Sequence, residues 1–313
     1  MPLNPKIKVL LDDQKALNLP PLSSLPAAVV QQAVIHTMEM AAAPTAVAAV
    51  LNRTIPGPAT ELPIRVYRPH GTGPFPVLVY IHGGGFVIGN LDTHDEICRR
   101  LCVGAGCLVV SLDYRLAPQH KFPAAPDDCL AAVRWVAAHA ADIGGDPARI
   151  AVGGDSAGGN LTAVTALRIR DQGGPVLRGQ LLIYPVVDFH PSNSPSMIEN
   201  GQDYGLTHDD MHWFTMQYLN DTSSDADNPY ASPMAASDLH GLPPALVITA
   251  EYDPLLDEGA AYAKRLYDSG VPTVYTCYEG MNHAFMTGVQ LIRESQPAMD
   301  QACAWLKGVF TAH

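Results

Sequence analysis

Gly154-Asp155-Ser156-Ala157-Gly158 decides the reading of this chain. It follows the apolar run Ile150-Ala151-Val152 and precedes a helical pattern through Leu161, Val164 and Leu167. A serine at such a strand-to-helix junction sits on a sharp turn with its hydroxyl projecting outward, and the crowded backbone there demands small neighbours. The stretch therefore presents a nucleophile, and the rest of the chain can be searched for a base, an acid and an oxyanion site.

The surrounding pattern is alternating. From about residue 60, short apolar runs read as strands: Ile64–Tyr67, Val77–Ile81, Leu108–Leu112, Ile150–Val152, Leu181–Tyr184, Ala245–Thr249 and Val274–Tyr278. Amphipathic segments lie between and after them. One runs from Pro126 to Ala140, with Asp127 or Asp128 favouring the first turn and Trp135 on the apolar face. Another spans Asp257–Ser269, stopped by Gly270 and Pro272, and a third runs from about Gln296 to Phe310. This order predicts an α/β fold with a mostly parallel central sheet flanked by helices.

Two regions interrupt it. Residues 1–50 read as a helical segment, with Ser24 capping a helix that contains Val29, Ala33, Val34 and Met38. Residues 189–222 open Pro/Ser-rich and continue into a helix near His208–Leu219, where Thr207 and Asp210 resemble a capping box. That helix carries Met211, Trp213, Phe214, Met216 and Tyr218 around much of its circumference, which suits a lid over a pocket as well as an ordinary packed helix. The expected organisation is thus a cap segment (1–50), a catalytic domain (51–188 and 223–313) and a cap insertion (189–222).

With 313 residues, 47% of them hydrophobic, the chain can bury a sizeable core. A formal net charge of −12 and scattered basic residues argue against nucleic acid and anionic lipid as partners. The early run Val9-Leu10-Leu11 is short for a signal peptide, and the Ala/Val-rich stretch from Pro26 to Leu51 is too broken to span a bilayer. The expectation is a cytoplasmic protein without membrane insertion. The six cysteines (98, 102, 107, 129, 277 and 303) form no CxxC pair and read as free thiols, and neither they nor the twelve histidines carry metal-ligand spacing. No metal or cofactor is expected.

A serine hydroxyl needs a histidine to take its proton and an acid to orient that histidine. Downstream of Ser156, the strand Ala245–Thr249 leads into Glu251-Tyr252-Asp253-Pro254, and the strand Val274–Tyr278 into Glu279-Gly280-Met281-Asn282-His283. Both loops leave the sheet on the edge that carries Ser156, so Asp253 and His283 are the candidate acid and base. Glu251 lies closer to its strand, and Asp257 reads as a first-turn helix residue. Directly after Val77–Ile81 comes His82-Gly83-Gly84-Gly85-Phe86, whose glycines can turn backbone N–H groups toward a bound oxygen. Gly83, Gly84 and Gly85, with Ala157 after the nucleophile, are the candidate oxyanion donors. A phosphate-loop reading fails because no Gly-Lys-Ser/Thr follows.

In this combination the chain resembles the hormone-sensitive lipase family of carboxylesterases. His82–Gly85 and Gly154–Gly159 match its two signatures; Asp113-Tyr114-Arg115-Leu116-Ala117-Pro118, Tyr184-Pro185, Asp253-Pro254-Leu255 and Asp257-Glu258-Gly259 match its secondary landmarks. Leu256 and Ala284 depart from it, standing where arginine or cysteine, and glycine, are common. The resemblance implies an α/β-hydrolase fold with a helical cap and hydrolysis of short- to medium-chain carboxylic esters without cofactor. It further implies Arg115 as a buried ion-pair partner, His82 as an orienter of the oxyanion loop, and a homodimer through the last-strand edge near Thr273–Tyr278. Trp213 and Phe214 are the expected pocket walls. Two other readings compete. One is a non-catalytic binding protein, as in the plant gibberellin receptors, which have lost the histidine kept here at 283; the other is an amidase, lactonase or transacylase using the same three residues.

Overall fold

The computed structural model describes residues 1–313 except 38–43, 191–192, 288–292 and 313. Its centre is an eight-stranded sheet of order β1-β2-β4-β3-β5-β6-β7-β8. The strands are β1 Ala49–Pro56, β2 Glu61–Arg68, β3 Phe75–Ile81, β4 Leu108–Leu112, β5 Gly145–Asp155, β6 Leu177–Ile183, β7 Ala245–Tyr252 and β8 Thr273–Asn282. From β4 to β8 neighbouring strands run parallel, while β1 pairs antiparallel with β2 and β2 antiparallel with β4.

The unbroken apolar run of β3 is explained by burial on both faces. Val77, Val79 and Ile81 enter one core cluster with residues of helices α4 (Ala124–His139), α5 (Ala157–Gln172) and α8 (Leu256–Asp268). Leu78 and Tyr80 point the other way, into a cluster with α3 (Asp95–Ala105) and α9 (Gln296–Thr311). The period-two alternation of a strand thus builds two cores from one sequence.

Every strand expected from the sequence is present; β4 has the expected bounds, β6 begins earlier and stops before Tyr184, and the others are longer by a few residues. β1 is an addition: five of its eight residues are exposed and only Ile55 is buried, so its apolar residues, Ala49-Val50-Leu51 and Ile55, form no run of strand length. The N-terminal region contains α1 (Pro5–Ala16), capped by the Asn4 side chain, and α2 (Ala27–Thr37). Ser24 caps neither. It closes a short 3-10 turn and donates its hydroxyl to the Pro21 carbonyl, while Met38 lies outside the described residues. In the second interruption, α6 (Pro195–Asn200) precedes α7 (His208–Tyr218), whose capping box between Thr207 and Asp210 is complete.

Arg115 forms a two-pronged pair with Asp128 (Nη2–Oδ1 2.7 Å, Nε–Oδ2 2.8 Å), whose carboxylate is fully buried, and the Arg115 N–H donates to it as well. The pair ties the segment after β4 to α4.

Candidate active site

β5 ends at Asp155 and α5 begins at Ala157, so Ser156 alone makes the turn, with φ 54° and ψ −119°. Such a backbone stores roughly 1–3 kcal/mol of strain in a non-glycine residue and persists only when its surroundings enforce it. Here the Ser156 N–H donates to the Ile183 carbonyl (2.8 Å), and its own carbonyl accepts from Asn160 and Val186. Gly158 lets the first turn of α5 sit on the end of β3, because a Cβ there would collide with the Ile81 carbonyl.

Asp253 follows β7 and is fully buried, and His283 follows β8. Asp253 Oδ1 accepts the Leu255 N–H (2.9 Å), and Oδ2 lies 2.7 Å from His283 Nδ1. A carboxylate only accepts, so Nδ1 carries the proton. Nε2, left with its lone pair, lies 2.9 Å from Ser156 Oγ. Three residues separated by 97 and 30 positions in sequence thus form one hydrogen-bonded line. Neither competing acid reaches it. Glu251 binds the chain's amino terminus and the Gly280 N–H, while Asp257 accepts from the Ser196 N–H.

The line opens into a cavity of about 460 Å³ lined by Gly84, Gly85, Ser156, His283 and, from α7, His208, Met211, His212, Phe214 and Thr215. Among the described residues the Gly84 and Gly85 N–H groups have no protein acceptor. As the first residue of α5, Ala157 has an N–H without an intrahelical partner. Gly85 takes φ 58° directly beneath Phe214, where any Cβ would strike the ring.

Two expected site residues fall elsewhere. The Gly83 N–H is already held by Asp155 Oδ1 (3.1 Å) and faces His94 Nε2 (3.3 Å), so it is not free to bind an oxyanion. Trp213 is 8% exposed, packed in the core and edge-on to Phe214 (centroids 5.2 Å apart, 73° between planes). Successive helix residues are turned by about 100°, so the face that directs His208, Met211, His212 and Thr215 into the cavity turns Trp213 away.

The structure also brings in residues that sequence reasoning passed over. Buried Asp155 accepts from Tyr80 Oη (2.7 Å) as well as Gly83, and its other oxygen faces His94 Nε2 (3.2 Å). Burial works to raise this carboxyl, but the adjoining His94 and Tyr80 outweigh it and hold it below the usual carboxylate range. His82 donates from Nδ1 to the Gly83 carbonyl (2.7 Å). Burial, aided by the adjoining His94, lowers its imidazole to about 3, so at neutral pH it is an uncharged fastener and no base. Asn200 of α6 donates to the backbone carbonyls of Glu251 (3.0 Å) and Asp253 (3.3 Å), bracing the acid loop. Glu258 lines the cavity, accepts the Val187 N–H (2.8 Å), and is pushed up to about 8 by burial, with Asp188 and Asp253 adding to it. Asp155 stood inside the decisive stretch, but its partners lie 61 to 75 residues away and no local pattern joins them.

Among the described residues no three His, Cys, Asp or Glu side chains group as a metal site, and no helix is long and apolar enough to cross a membrane.

Sheet, serine turn and cavity together define an α/β hydrolase. The family profile described as alpha/beta hydrolase fold matches residues 78–287. Carboxylic ester hydrolase LipN of Mycobacterium tuberculosis is 47% identical over 247 residues, covering 77% of this chain, which spans 65% of LipN's length. The arylesterase of Saccharolobus solfataricus is 37% identical over 295 residues, 94% of this chain and 95% of that protein. The hyperthermophilic esterase of the archaeon Pyrobaculum calidifontis superposes with a TM-score of 0.94 at 44% identity over the whole of both chains. The chain belongs to the alpha/beta-hydrolase-fold family, in its hormone-sensitive-lipase-like branch, and it is a carboxylic ester hydrolase.

Proposed function

We propose that the chain hydrolyses short- to medium-chain carboxylic esters through an acyl-enzyme on Ser156. The observation that carries this reading is the position of His283, its Nδ1 2.7 Å from Asp253 and its Nε2 2.9 Å from Ser156 Oγ at the cavity wall. In the first step Ser156 Oγ attacks the ester carbonyl carbon while its proton passes to His283 Nε2. The carbonyl π pair moves onto oxygen, and the N–H groups of Gly84, Gly85 and Ala157 receive that charge. The intermediate collapses, the C–O bond to the alcohol breaks, and His283 returns the proton to the leaving oxygen. Water then enters, gives its proton to His283 and attacks the acyl carbon; Ser156 leaves as the hydroxyl after recovering that proton, and the acid is released. Asp253 keeps Nδ1 protonated throughout, so Nε2 is always the atom that exchanges protons.

Hydrolysis of p-nitrophenyl butyrate by the wild type and by Ser156→Ala tests the assignment. The variant is expected to lose about five to six orders of magnitude in kcat while keeping its fold. Equal rates would remove Ser156 from the mechanism.

Residues 1–50 and 189–222 are proposed to act as the cap, supported by the α7 side chains that roof the cavity. A homodimer through β8 is supported by Val274 and Tyr275, 45% and 42% exposed on an edge strand, beyond the point where Asn4 bonds to the Gly280 carbonyl. Light scattering that returned the mass of one chain would overturn it. A cytoplasmic location is supported by six free cysteines, five of them buried, which suit a reducing compartment.

A further inference from the structure

A second cavity, of about 670 Å³, lies between the N-terminal segment and the two helices of the 189–222 region. Its apolar wall is Pro21, Leu22 and Ile198, the last 71% exposed. Met197 and His208 line both this cavity and the catalytic one. Two side chains, one from α6 and one from the first turn of α7, therefore stand between the two spaces.

Their backbone is fixed. α6 is fastened to the loop that carries Asp253 by Ser196, whose N–H donates to Asp257 (2.8 Å) and whose hydroxyl donates to the Pro254 carbonyl (2.9 Å), and by Asn200. The His208 N–H donates to the Gly201 carbonyl (2.9 Å), which joins α7 to the end of α6. The side chains differ: Met197 is buried, at 8% exposure, and His208 is not. Methionine has three rotatable bonds and fills irregular gaps without a rigid shape, and the His208 side chain is 62% exposed.

We propose that Met197, with His208 beside it, is the specificity-determining partition between the two cavities. When Met197 turns aside, one arm of the catalytic cavity continues into the second, and an unbranched chain can thread along Leu22, Pro21 and Ile198. The substrate class would then extend to esters with one long linear chain, on whichever side of the ester carbon faces the partition. This inference rests on the acyl-enzyme reading above for the position of the ester carbon.

The test uses two series on the full chain: p-nitrophenyl esters from acetate to laurate, and n-alkyl butyrates from ethyl to dodecyl. Within each series the kcat/KM ratio of the longest to the shortest member is taken, which cancels differences in the amount of folded enzyme. Burial of each further methylene is worth roughly fourfold, so Met197→Ala is expected to raise the ratio about tenfold or more in one series, with the other within twofold. Met197→Phe is expected to lower the ratio in that same series. His208→Ala opens the same partition from its exposed side and decides the matter if Met197→Ala fails to fold. Ratios unchanged in both series, or raised equally in both, overturn the proposal. Absence of turnover on every short ester, in the wild type as well, would instead strike at the Ser156 reading.

Discussion

Two His–Asp pairs face the same cavity and do different things. His283 and Asp253 bridge two loops at the carboxyl ends of β7 and β8, and the imidazole's second nitrogen meets Ser156 Oγ. His94 and Asp155 line the cavity too, and their other polar atoms are engaged: Thr93 Oγ1 on His94 Nδ1 (2.7 Å), Tyr80 Oη and the Gly83 N–H on Asp155. The first pair ends at the serine oxygen proposed to react. The second ends in the glycine loop proposed to hold the oxyanion and ties it to the serine strand. Chemical composition does not distinguish them; what distinguishes them is the hydroxyl each imidazole meets, since that of Ser156 donates to no other acceptor among the described residues while that of Thr93 already donates to the Asn90 carbonyl (2.8 Å). A third histidine in the cavity, His190, has both nitrogens on carboxylates (Asp188 2.7 Å, Asp227 3.0 Å) and has none to offer.

The comparison breaks most sharply at Asp253. Asp253→Asn keeps the shape but can present an N–H to His283 Nδ1, which favours the tautomer with its proton on Nε2. We expect kcat for p-nitrophenyl butyrate to fall by on the order of 10⁴ with a folded enzyme. A loss below about tenfold would mean that another acid orients the imidazole, and Glu251 or Asp257 variants would then be measured.

On the other pair the expected loss is smaller. One oxyanion donor is worth about 10²–10³ in kcat, and Asp155→Asn displaces the loop without deleting its N–H groups. We expect kcat to fall about tenfold to a hundredfold, KM to move by less than about threefold, and a phosphonate inhibitor to react correspondingly more slowly. Tyr80→Phe removes one of the hydrogen bonds to Asp155 and leaves Gly83 bound, so its loss should be several-fold smaller. If Asp155→Asn lowered only the melting temperature, with kcat per folded molecule intact, Asp155 would be a structural residue alone.

How far these pairs could be read in advance follows the range of the interactions that build them. The serine turn, the two loops with Asp253 and His283, and the glycines after β3 each announce themselves within a few residues, because strand ends, turns and helix starts are local. So did the sheet's interior strands, whose apolar runs reflect burial on both faces. β1 did not, since a mostly exposed edge strand needs only a few apolar side chains, here Ile55 in the core. The fate of Gly83 was hidden for another reason: whether a backbone N–H is free depends on a carboxylate 72 residues away. Trp213 and Phe214 were equivalent as sequence, and only the helix phase set by its packing sent one to the core and one to the cavity.

The weakest expected effect concerns Glu258, which lies against both Asp253 and the cavity. Its carboxyl ionises near 4.5 in the unfolded chain and is pushed up to about 8 in the fold, burial being the main cause. Between those values the native state holds a proton that the unfolded state has released. The stability this group contributes is therefore fully present below about pH 4.5 and is lost as pH climbs through about 8. Glu258→Gln keeps the volume and an acceptor for the Val187 N–H but does not titrate. The melting temperature of the variant minus that of the wild type should rise between pH 5 and 8 and level off above; three pH units at about 1.4 kcal/mol each set an upper bound of roughly 4 kcal/mol, or about 8–16 °C in a large domain. Asp113, raised by burial to about 6, titrates in both proteins and drops out of the difference. A difference that stayed constant across the window would show that Glu258 ionises as readily in the cavity wall as in water, and the proton would have to be removed from its account.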